Sequence, residues 1–400
     1  MPSIHQKSHP IYLDYHSTTP VDPRVAEKMV YYMTTAFGNA SSIDHVYGDE
    51  AEAAVNEAAG HVARLINAKP KEIIFTSGAT ESINLVLQGL VGNNGRKTSK
   101  IVTTKLEHQA VLDTCAALAK KGWAEIVFVE VDGQGRIYLE QLEKVVQGGV
   151  SLLCFMAANN EIGNIYPLEK IGKIAQEYGI PFFCDASQAV GKIPLNFAEW
   201  GINYLAISAH KFYGPKGCGA LVVNKKYELE PMIYGGGHQG KMRSGTLNVP
   251  GIVGLGTACS LRELEMVADE KAIAFLRNRL QTLLQANITD LVINGDLEAR
   301  LSGNLHIAIP GIPNSAIIAR IRSQLAISTG AACSSGVETP SHVLQALGLA
   351  SEIIEGALRL GIGKFTTVAE IETAAEILIH AVRETRKRLR PLVSNHNLSS

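Results

Sequence analysis

Seven short segments rich in apolar, β-branched and aromatic residues alternate with helical patterns from about residue 70 to residue 225. They are 72–76, 101–104, 125–129, 152–156, 181–184, 204–207 and 219–223. Nearly continuous apolar strands separated by helical segments are typical of a sheet that is covered on both faces. The alternation therefore predicts an α/β fold with a mostly parallel sheet. Ligands of such sheets bind beyond the carboxyl ends of the strands, so the polar residues that follow these segments are candidate site residues.

Size and charge narrow the class of protein. The chain has 400 residues, of which 46% are hydrophobic and 19% charged, and this is typical of two domains, or of one large domain with an appendage. Its net charge of -1 gives no reason to expect nucleic acid or an anionic membrane as partner. No segment reaches the ~20 apolar residues that cross a bilayer, and the first residues do not resemble a secretory signal, so we expect a cytoplasmic protein.

The six cysteines show no CxxC pair and no disulfide-like spacing, which fits a reducing compartment, and we predict no metal site. Five of them, Cys115, Cys154, Cys184, Cys218 and Cys259, are expected to pack as small apolar side chains. Cys333 differs because it lies in the small-residue stretch 328–336, without bulky apolar neighbours. Its thiol could be a nucleophile that carries sulfur from a substrate to an acceptor, and an inert loop cysteine is the alternative.

After about residue 260 the pattern changes to long charged helices with fewer strands. This change predicts a large α/β domain over 16–260 and a smaller α+β domain over 261–400, with Cys333 on a mobile loop. We expect residues 1–15 to join the small domain. Asp22 and Pro23 predict the start of the first helix, and the capping box of Thr367 and Glu370 predicts the start of the last one.

Lys211 follows the apolar segment 204–207 directly, beside Ser208 and His210. An amine at the end of a buried strand is partly desolvated and can form a Schiff base with an aldehyde cofactor such as pyridoxal phosphate. A solvated loop lysine is the alternative interpretation.

Two other strand ends offer groups that suit the same cofactor. Segment 76–82 follows a strand and opens a helix, so its backbone N–H groups and the Thr80 hydroxyl could hold a phosphate, or could serve only as a helix cap. Asp185 ends another buried strand, where a carboxylate is costly unless it meets a cation or hydrogen bonds. A protonated pyridine nitrogen is such a cation, and a helix-capping aspartate is the alternative.

His108 lies just beyond a fourth strand, where an imidazole could stack on a planar cofactor or move protons, or could be structural. Segment 159–163 follows a fifth strand and offers amide donors, with turn formation as the alternative. Compatible groups at five strand ends favour one pyridoxal phosphate site over five coincidences.

The motifs that carry these residues occur in a recognisable order. They are Tyr12-Leu13-Asp14-Tyr15, GATES at 78–82, EHQAVLD at 107–113, NNEIG at 159–163, DASQ at 185–188, SAHKFYGPKG at 208–217, RSGT at 243–246 and the Cys333 stretch. The chain closely resembles the cysteine desulfurases over nearly its whole length. The short sequence around Cys333 resembles the long-loop branch, whose members serve iron–sulfur cluster assembly and nitrogenase.

The resemblance implies fold type I of the pyridoxal phosphate enzymes, with a seven-stranded sheet in a class-V aminotransferase-like homodimer. It implies conversion of L-cysteine to L-alanine, with a persulfide on Cys333 that passes to an acceptor such as an iron–sulfur scaffold protein. The alternatives are a selenocysteine lyase, another pyridoxal phosphate-dependent C–S lyase and, last, a non-catalytic assembly scaffold.

The family pattern also assigns roles to residues. Lys211, Cys333 and His108 would be catalytic. The residues that would hold the cofactor are Ala79, Thr80, His108, Asp185, Gln188, Ser208, His210 and Lys211, with Thr246 from the other subunit. Asn160 and Arg359 would bind the substrate carboxylate, although Arg359 viewed alone would be a surface charge.

The sequence departs from the family pattern in two places, one at the wall of the substrate pocket and one at the end of the chain. Asn39-Ala40 stands where Asn-Pro is common, and His16-Ser17 replaces smaller residues. The chain ends soon after residue 393, which weakens the inference that it docks the usual scaffold protein.

Overall fold

The computed structural model describes residues 9–92, 98–224, 226, 229–329 and 340–394. The strands are β1 Ile11–Tyr12, β2 Ile73–Thr76, β3 Ser99–Thr104, β4 Ala124–Val129, β5 Leu152–Met156, β6 Phe182–Asp185, β7 Tyr204–Ser208, β8 Gly219–Val223, β9 Val292–Ile293, β10 Asn304–Ala308, β11 Leu325–Ala326 and β12 Ala357–Gly361. The helices are α1 Pro23–Thr34, α2 Val46–Leu65, α3 Ala79–Gly92, α4 Gln109–Lys120, α5 Leu139–Val146, α6 Leu168–Glu177, α7 Val249–Asn287, α8 Asn314–Ile321, α9 His342–Ala346, α10 Ser351–Glu355 and α11 Val368–Ser394.

The chain divides into two compact units. The larger unit comprises Thr18–Asn160 and Asn164–Val267. The smaller unit comprises Met1–Ser17, Glu161–Gly163 and Ala268–Ser400. The residues of α7 are therefore shared between the two units.

The larger unit is built on a seven-stranded sheet with the strand order β2-β8-β7-β6-β5-β3-β4. Strands β3 to β7 are mutually parallel, and β8 is antiparallel to both of its neighbours, β2 and β7. Strand β2 consequently runs in the same direction as β7. Each of the seven apolar segments of the sequence coincides with one strand of this sheet, so the predicted mostly parallel sheet is confirmed.

The centre of the sheet is buried on both faces. Every residue of β5, β6, β7 and β8 is buried, and adjacent residues of a strand point to opposite faces. Cys154 and Cys184 lie in β5 and β6 and are fully enclosed. Cys115, Cys218 and Cys259 are also buried, which confirms that these five cysteines pack as apolar side chains.

The smaller unit contains a three-stranded antiparallel sheet with the order β12-β10-β9 and the parallel pair β1-β11. Its core is formed by residues of β10 and β12 together with α8 and α11, among them Leu305, Ile317, Leu358 and Leu378.

Both predicted helix starts are confirmed. The Asp22 carboxylate accepts a hydrogen bond from the N–H of Arg24 (3.0 Å) at the start of α1. At the start of α11, the Thr367 hydroxyl accepts from the N–H of Glu370 (3.2 Å), while the Glu370 carboxylate accepts from the N–H of Thr367 (2.8 Å). Within the described residues, no helix is both long and apolar enough to cross a bilayer.

Candidate active site

The turn that presents Lys211 is held on both sides by Thr19. After β7 ends at Ser208, Ala209–Lys211 form a single 3-10 turn in which Lys211 is half-buried. The N–H and the hydroxyl of Thr19 donate to the carbonyl of His210 (2.9 and 3.0 Å), and the same hydroxyl accepts from the N–H of Tyr213 (2.7 Å). Tyr213 has a left-handed backbone (φ 70°), a conformation that persists only where the surroundings enforce it.

Positive charge collects around His210. Its pKa is lowered to about 4, first by burial and then by the ammonium groups of Lys211, Lys216 and Lys192. The imidazole is therefore neutral at physiological pH, and its Nδ1 lies 3.1 Å from the Thr18 hydroxyl. Three positive charges that act on one neutral histidine favour an anion in its neighbourhood.

The start of α3 lies against the end of β7. Gly78 joins β2 to α3, and a Cβ atom placed on it would lie 3.7 Å from the Ser208 hydroxyl oxygen. A Cβ on Gly219 of β8 would approach the Cα of Gly78 to 2.6 Å, so the two backbones are in close contact. Ala79 and Thr80 occupy the first turn of α3, whose N–H groups have no partners within a helix. The structure therefore brings Ser208 together with a helix start that is able to hold phosphate.

Asp185 lies at the end of β6, next to β7, where it pairs in register with Ala206. It is only 5% exposed, and its carboxylate accepts hydrogen bonds from the N–H (3.0 Å) and the hydroxyl (2.5 Å) of Ser187. The residues that follow form turns, so Asp185 does not cap an α-helix. A carboxylate buried in this way suits a cationic partner.

Gln188 is buried in the turn after Asp185, and its side-chain oxygen accepts from the Lys192 ammonium (2.8 Å). Lys192, one of the three lysines whose charge lowers the pKa of His210, therefore contacts Gln188 directly. The role of Gln188 as a hydrogen-bonding partner of the ring oxygen of the cofactor stays a prediction.

His108 is the N-cap residue of α4, and its ring is exposed. Its Nδ1 accepts from the N–H of Ala110 (3.1 Å), which leaves the proton of the neutral ring on Nε2. Asn159 donates from its side chain to the carbonyl of Leu106 (2.9 Å) and so ties the end of β5 to the turn that presents His108. Asn160, the predicted substrate ligand, is half-buried at the same strand end.

Glu107 is a buried residue to which sequence reasoning assigned no role. It is 1% exposed and accepts from the Thr104 hydroxyl (3.0 Å). Burial raises its pKa well above the ordinary value, a hydrogen bond from Thr104 opposes the rise, and the nearby Asp185 carboxylate reinforces it. No signal in the sequence separates Glu107 from a solvated residue. Sequence reasoning likewise assigned no role to Thr19.

The remaining predicted site residues are Thr246, Arg359 and Cys333. Thr246 is exposed on the segment before α7. Arg359 belongs to β12 of the smaller unit, where it is 6% exposed and its guanidinium contacts the Asp14 carboxylate (2.8 Å). The interpretation of Arg359 as a surface charge is therefore wrong, because the pairing of β12 with β10 buries this residue within the smaller unit. Cys333 lies outside the described residues.

Comparison with known proteins identifies the family. Residues 11–373 match the family model described as aminotransferase class-V. The chain belongs to this family. Cysteine desulfurase IscS of Rickettsia bellii (strain OSU 85-389) is 44% identical over 379 residues, which are 94% of this chain and 92% of the relative. Cysteine desulfurase IscS of Anaeromyxobacter sp. (strain K) is 43% identical over 94% of each chain.

Solved structures agree with this assignment. A NifS-like protein superposes with a TM-score of 0.87 at 34% identity, covering 94% of this chain and 99% of that one. The apo structure of cysteine desulfurase from Thermococcus onnurineus NA1 superposes with a TM-score of 0.82 at 26% identity, covering 94% and 95%. The predicted fold type I architecture and the predicted resemblance to the cysteine desulfurases are both confirmed.

Proposed function

We propose that this protein is a pyridoxal phosphate-dependent cysteine desulfurase that converts L-cysteine to L-alanine and leaves the sulfur on Cys333 as a persulfide. The observation that carries the proposal is the grouping of an amine, an enclosed carboxylate and a phosphate-suited helix start on neighbouring strand ends. Asp185 ends β6, Lys211 follows β7, and Ser208 at the end of β7 lies near Gly78, which precedes the start of α3. Because the chain belongs to the family of the cysteine desulfurases, L-cysteine is the substrate that we propose for this group of residues.

The residues fit the cofactor at both of its ends. The first turn of α3, with Ala79 and Thr80, would hold the phosphate together with Ser208 and His210, in a region where three lysines act on one neutral histidine. The enclosed Asp185 carboxylate would meet the protonated ring nitrogen, and Gln188 would donate to the ring oxygen. When bound, pyridoxal phosphate supplies an electron-withdrawing ring that stabilises negative charge at the substrate Cα.

Lys211 has two tasks in this proposal. Its amine would hold the cofactor aldehyde covalently, and its Nζ would also remove the Cα proton of the substrate. The Thr19 hydrogen bonds keep the backbone of this turn in place while the side chain moves between these tasks. The exposed ring of His108 would stack on the cofactor, and its imidazole would take up and release protons during the reaction.

Substrate binding and sulfur transfer use the remaining predicted residues. Asn160 and the planar guanidinium of Arg359 would bind the substrate carboxylate. The Cys333 thiolate then forms a bond to the substrate sulfur as the Cβ–sulfur bond breaks, and the three-carbon fragment takes up protons to become L-alanine. The persulfide sulfur passes next to a thiol of an acceptor protein, such as an iron–sulfur scaffold. A homodimer in which Thr246 reaches the phosphate of the second copy completes the proposal.

The test supplies purified protein with pyridoxal phosphate, L-cysteine and a reductant, and follows alanine and sulfide in parallel. We expect equal yields of both products. Lys211→Ala should abolish turnover, whereas Lys120→Ala, which removes an exposed lysine from the last turn of α4, is the control and should retain most of it. Cys333→Ser should keep the yellow chromophore and lose the persulfide.

Other outcomes would contradict the proposal in distinct ways. Pyruvate in place of alanine would identify a C–S lyase. A bound chromophore without any turnover of L-cysteine would favour an assembly scaffold. Normal sulfur transfer to a protein acceptor by Cys333→Ser would remove the role assigned to that thiol.

A further inference from the structure

A partly buried ion pair joins the segment that carries Thr246 to the start of α3. The Arg243 guanidinium contacts the Glu81 carboxylate through Nε (2.9 Å) and Nη2 (3.4 Å). The side chains of Arg243 and Glu81 are 22% and 13% exposed. Glu81 directly follows Thr80, and Arg243 precedes Thr246 by three residues, so the pair links two segments that each carry a predicted phosphate ligand.

The carboxylate of this pair is ionised. Burial would raise the pKa of Glu81, but hydrogen bonds from Arg243 and from Ser77 outweigh it, and the pKa lies below its usual value. The second Glu81 oxygen accepts from the N–H of Ser77 (2.8 Å). A negative charge is therefore held in the first turn of α3, where an incoming phosphate would also be negative.

A second contact holds the same segment to the sheet. The Gln239 side chain accepts from the N–H of Phe75 (2.6 Å) and donates to its carbonyl (3.0 Å), so it pairs with the free edge of β2. Gln239, Gly240 and Lys241 are all left-handed, with φ of 53°, 65° and 68°. Two non-glycine residues in this conformation make the segment strained, and the Phe75 and Glu81 contacts maintain it.

We propose that Arg243 is a positioning residue for the phosphate end of the active site. It neutralises Glu81, so that the start of α3 can accept a phosphate, and it holds the segment that presents Thr246. The inference rests on the proposed function, in which Thr80 and Thr246 bind cofactor phosphates, the latter in the second copy of the chain.

The two members of the pair therefore have unequal effects. Without Arg243, an uncompensated carboxylate remains beside the phosphate. Without Glu81, the remaining charge is positive and attracts the phosphate. A pair that served only as a structural joint would be weakened equally by the loss of either member.

The experiment measures cofactor affinity of the apo proteins by absorbance titration, for wild type, Arg243→Gln, Glu81→Gln and the double variant. Each protein is titrated with pyridoxal phosphate and with pyridoxal, which lacks the phosphate but still reacts with Lys211. We expect Arg243→Gln to bind pyridoxal phosphate about 10- to 100-fold more weakly, which is the effect of one nearby like charge. Pyridoxal binding should be unchanged, and the double variant should recover most of the loss.

Arg64→Gln is the matched control, because Arg64 forms a more exposed ion pair with Glu263 (3.5 Å) in the same unit. This variant should bind pyridoxal phosphate and pyridoxal with wild-type affinity. Thermal unfolding of each apo protein checks the fold. If Arg243→Gln does not fold, Arg243→Lys takes its place and should keep affinity within about threefold, because it retains the charge.

Three results would overturn the inference. Equal losses in the two single variants would make the pair a structural joint. If the double variant bound pyridoxal phosphate as weakly as Arg243→Gln, Arg243 would be a direct phosphate ligand. If Arg243→Lys lost as much affinity as is expected for Arg243→Gln, the charge of Arg243 would not be the cause of the effect. Failure of the wild type to bind pyridoxal phosphate would instead reject the proposed function, and this inference with it.

Discussion

A single added methyl group in α6 should destabilise the larger unit, although the same change usually stabilises a helix. Gly172 lies inside α6, and a Cβ on it would lie 1.6 Å from the carbonyl oxygen of Trp200. Real Cβ atoms do not approach closer than 3.0 Å, so helix and carbonyl must separate by about 3.0 − 1.6 = 1.4 Å. We therefore expect Gly172→Ala to be destabilising.

The magnitude follows from two opposing terms. Alanine is favoured over glycine in a helix interior by about 1 kcal/mol, whereas forcing extra volume into a packed site costs about 1–3 kcal/mol or more. Relief is difficult because Ile171 and Ala175 of the same helix are fully enclosed. The N–H of Trp200 is also held by the carbonyl of Asn196 (3.1 Å). A displacement of 1.4 Å (3.0 − 1.6) places the overpacking cost at the upper end of its range. After the gain in helix propensity is subtracted, we expect Gly172→Ala to lower the free energy of unfolding by about 2 kcal/mol.

Urea unfolding of the apo protein measures this loss. Gly60→Ala in α2 is the matched control, because the nearest atom to its added Cβ is the flexible end of Arg64 at 3.5 Å. This control should gain about 0.5–1 kcal/mol. A Gly172→Ala protein as stable as wild type would refute the steric argument. Because α6 leads into β6, which ends at Asp185, the variant should also bind pyridoxal phosphate more weakly.

Two buried residues of the smaller unit should give its stability opposite pH dependences. Burial and the Arg359 charge lower the pKa of His306 from 6.5 to about 3, so its contribution is present above pH 6.5 and is lost as pH falls through that window. His306→Gln should make the pH dependence of the free energy of unfolding less steep between pH 6 and 4, by up to about 1.4 kcal/mol per pH unit. An unchanged slope would contradict this. Burial raises the pKa of Glu161 from 4.5 to about 7 against the hydrogen bond from Ser341, so its contribution is lost as pH rises from 4.5 through 7. Glu161→Gln should remove that decline in urea titrations at several pH values, and a decline as steep as in wild type would exclude Glu161 as its source.

The seven strands and the residues that end them were predictable from the sequence. Each strand is a short apolar run followed by a polar group, and burial on both faces leaves few alternatives to a sheet. Because parallel strands end at a common edge, Asp185 and Ser208 were expected to lie near one another, and the register of β6 with β7 agrees. Family motifs then supplied the chemistry.

Contacts between distant segments depended on the tertiary structure. The direction of β8 against β2 and β7 and the pairing of Gln239 with Phe75 follow from strand register and backbone geometry, which no local pattern encodes. The same is true of Arg359, whose enclosure comes from the pairing of β12 with β10. The enclosed Glu107 and the Arg243–Glu81 ion pair are further examples. A charged residue looks the same in a sequence whether water or a carboxylate will surround it, and only the folded chain decides which.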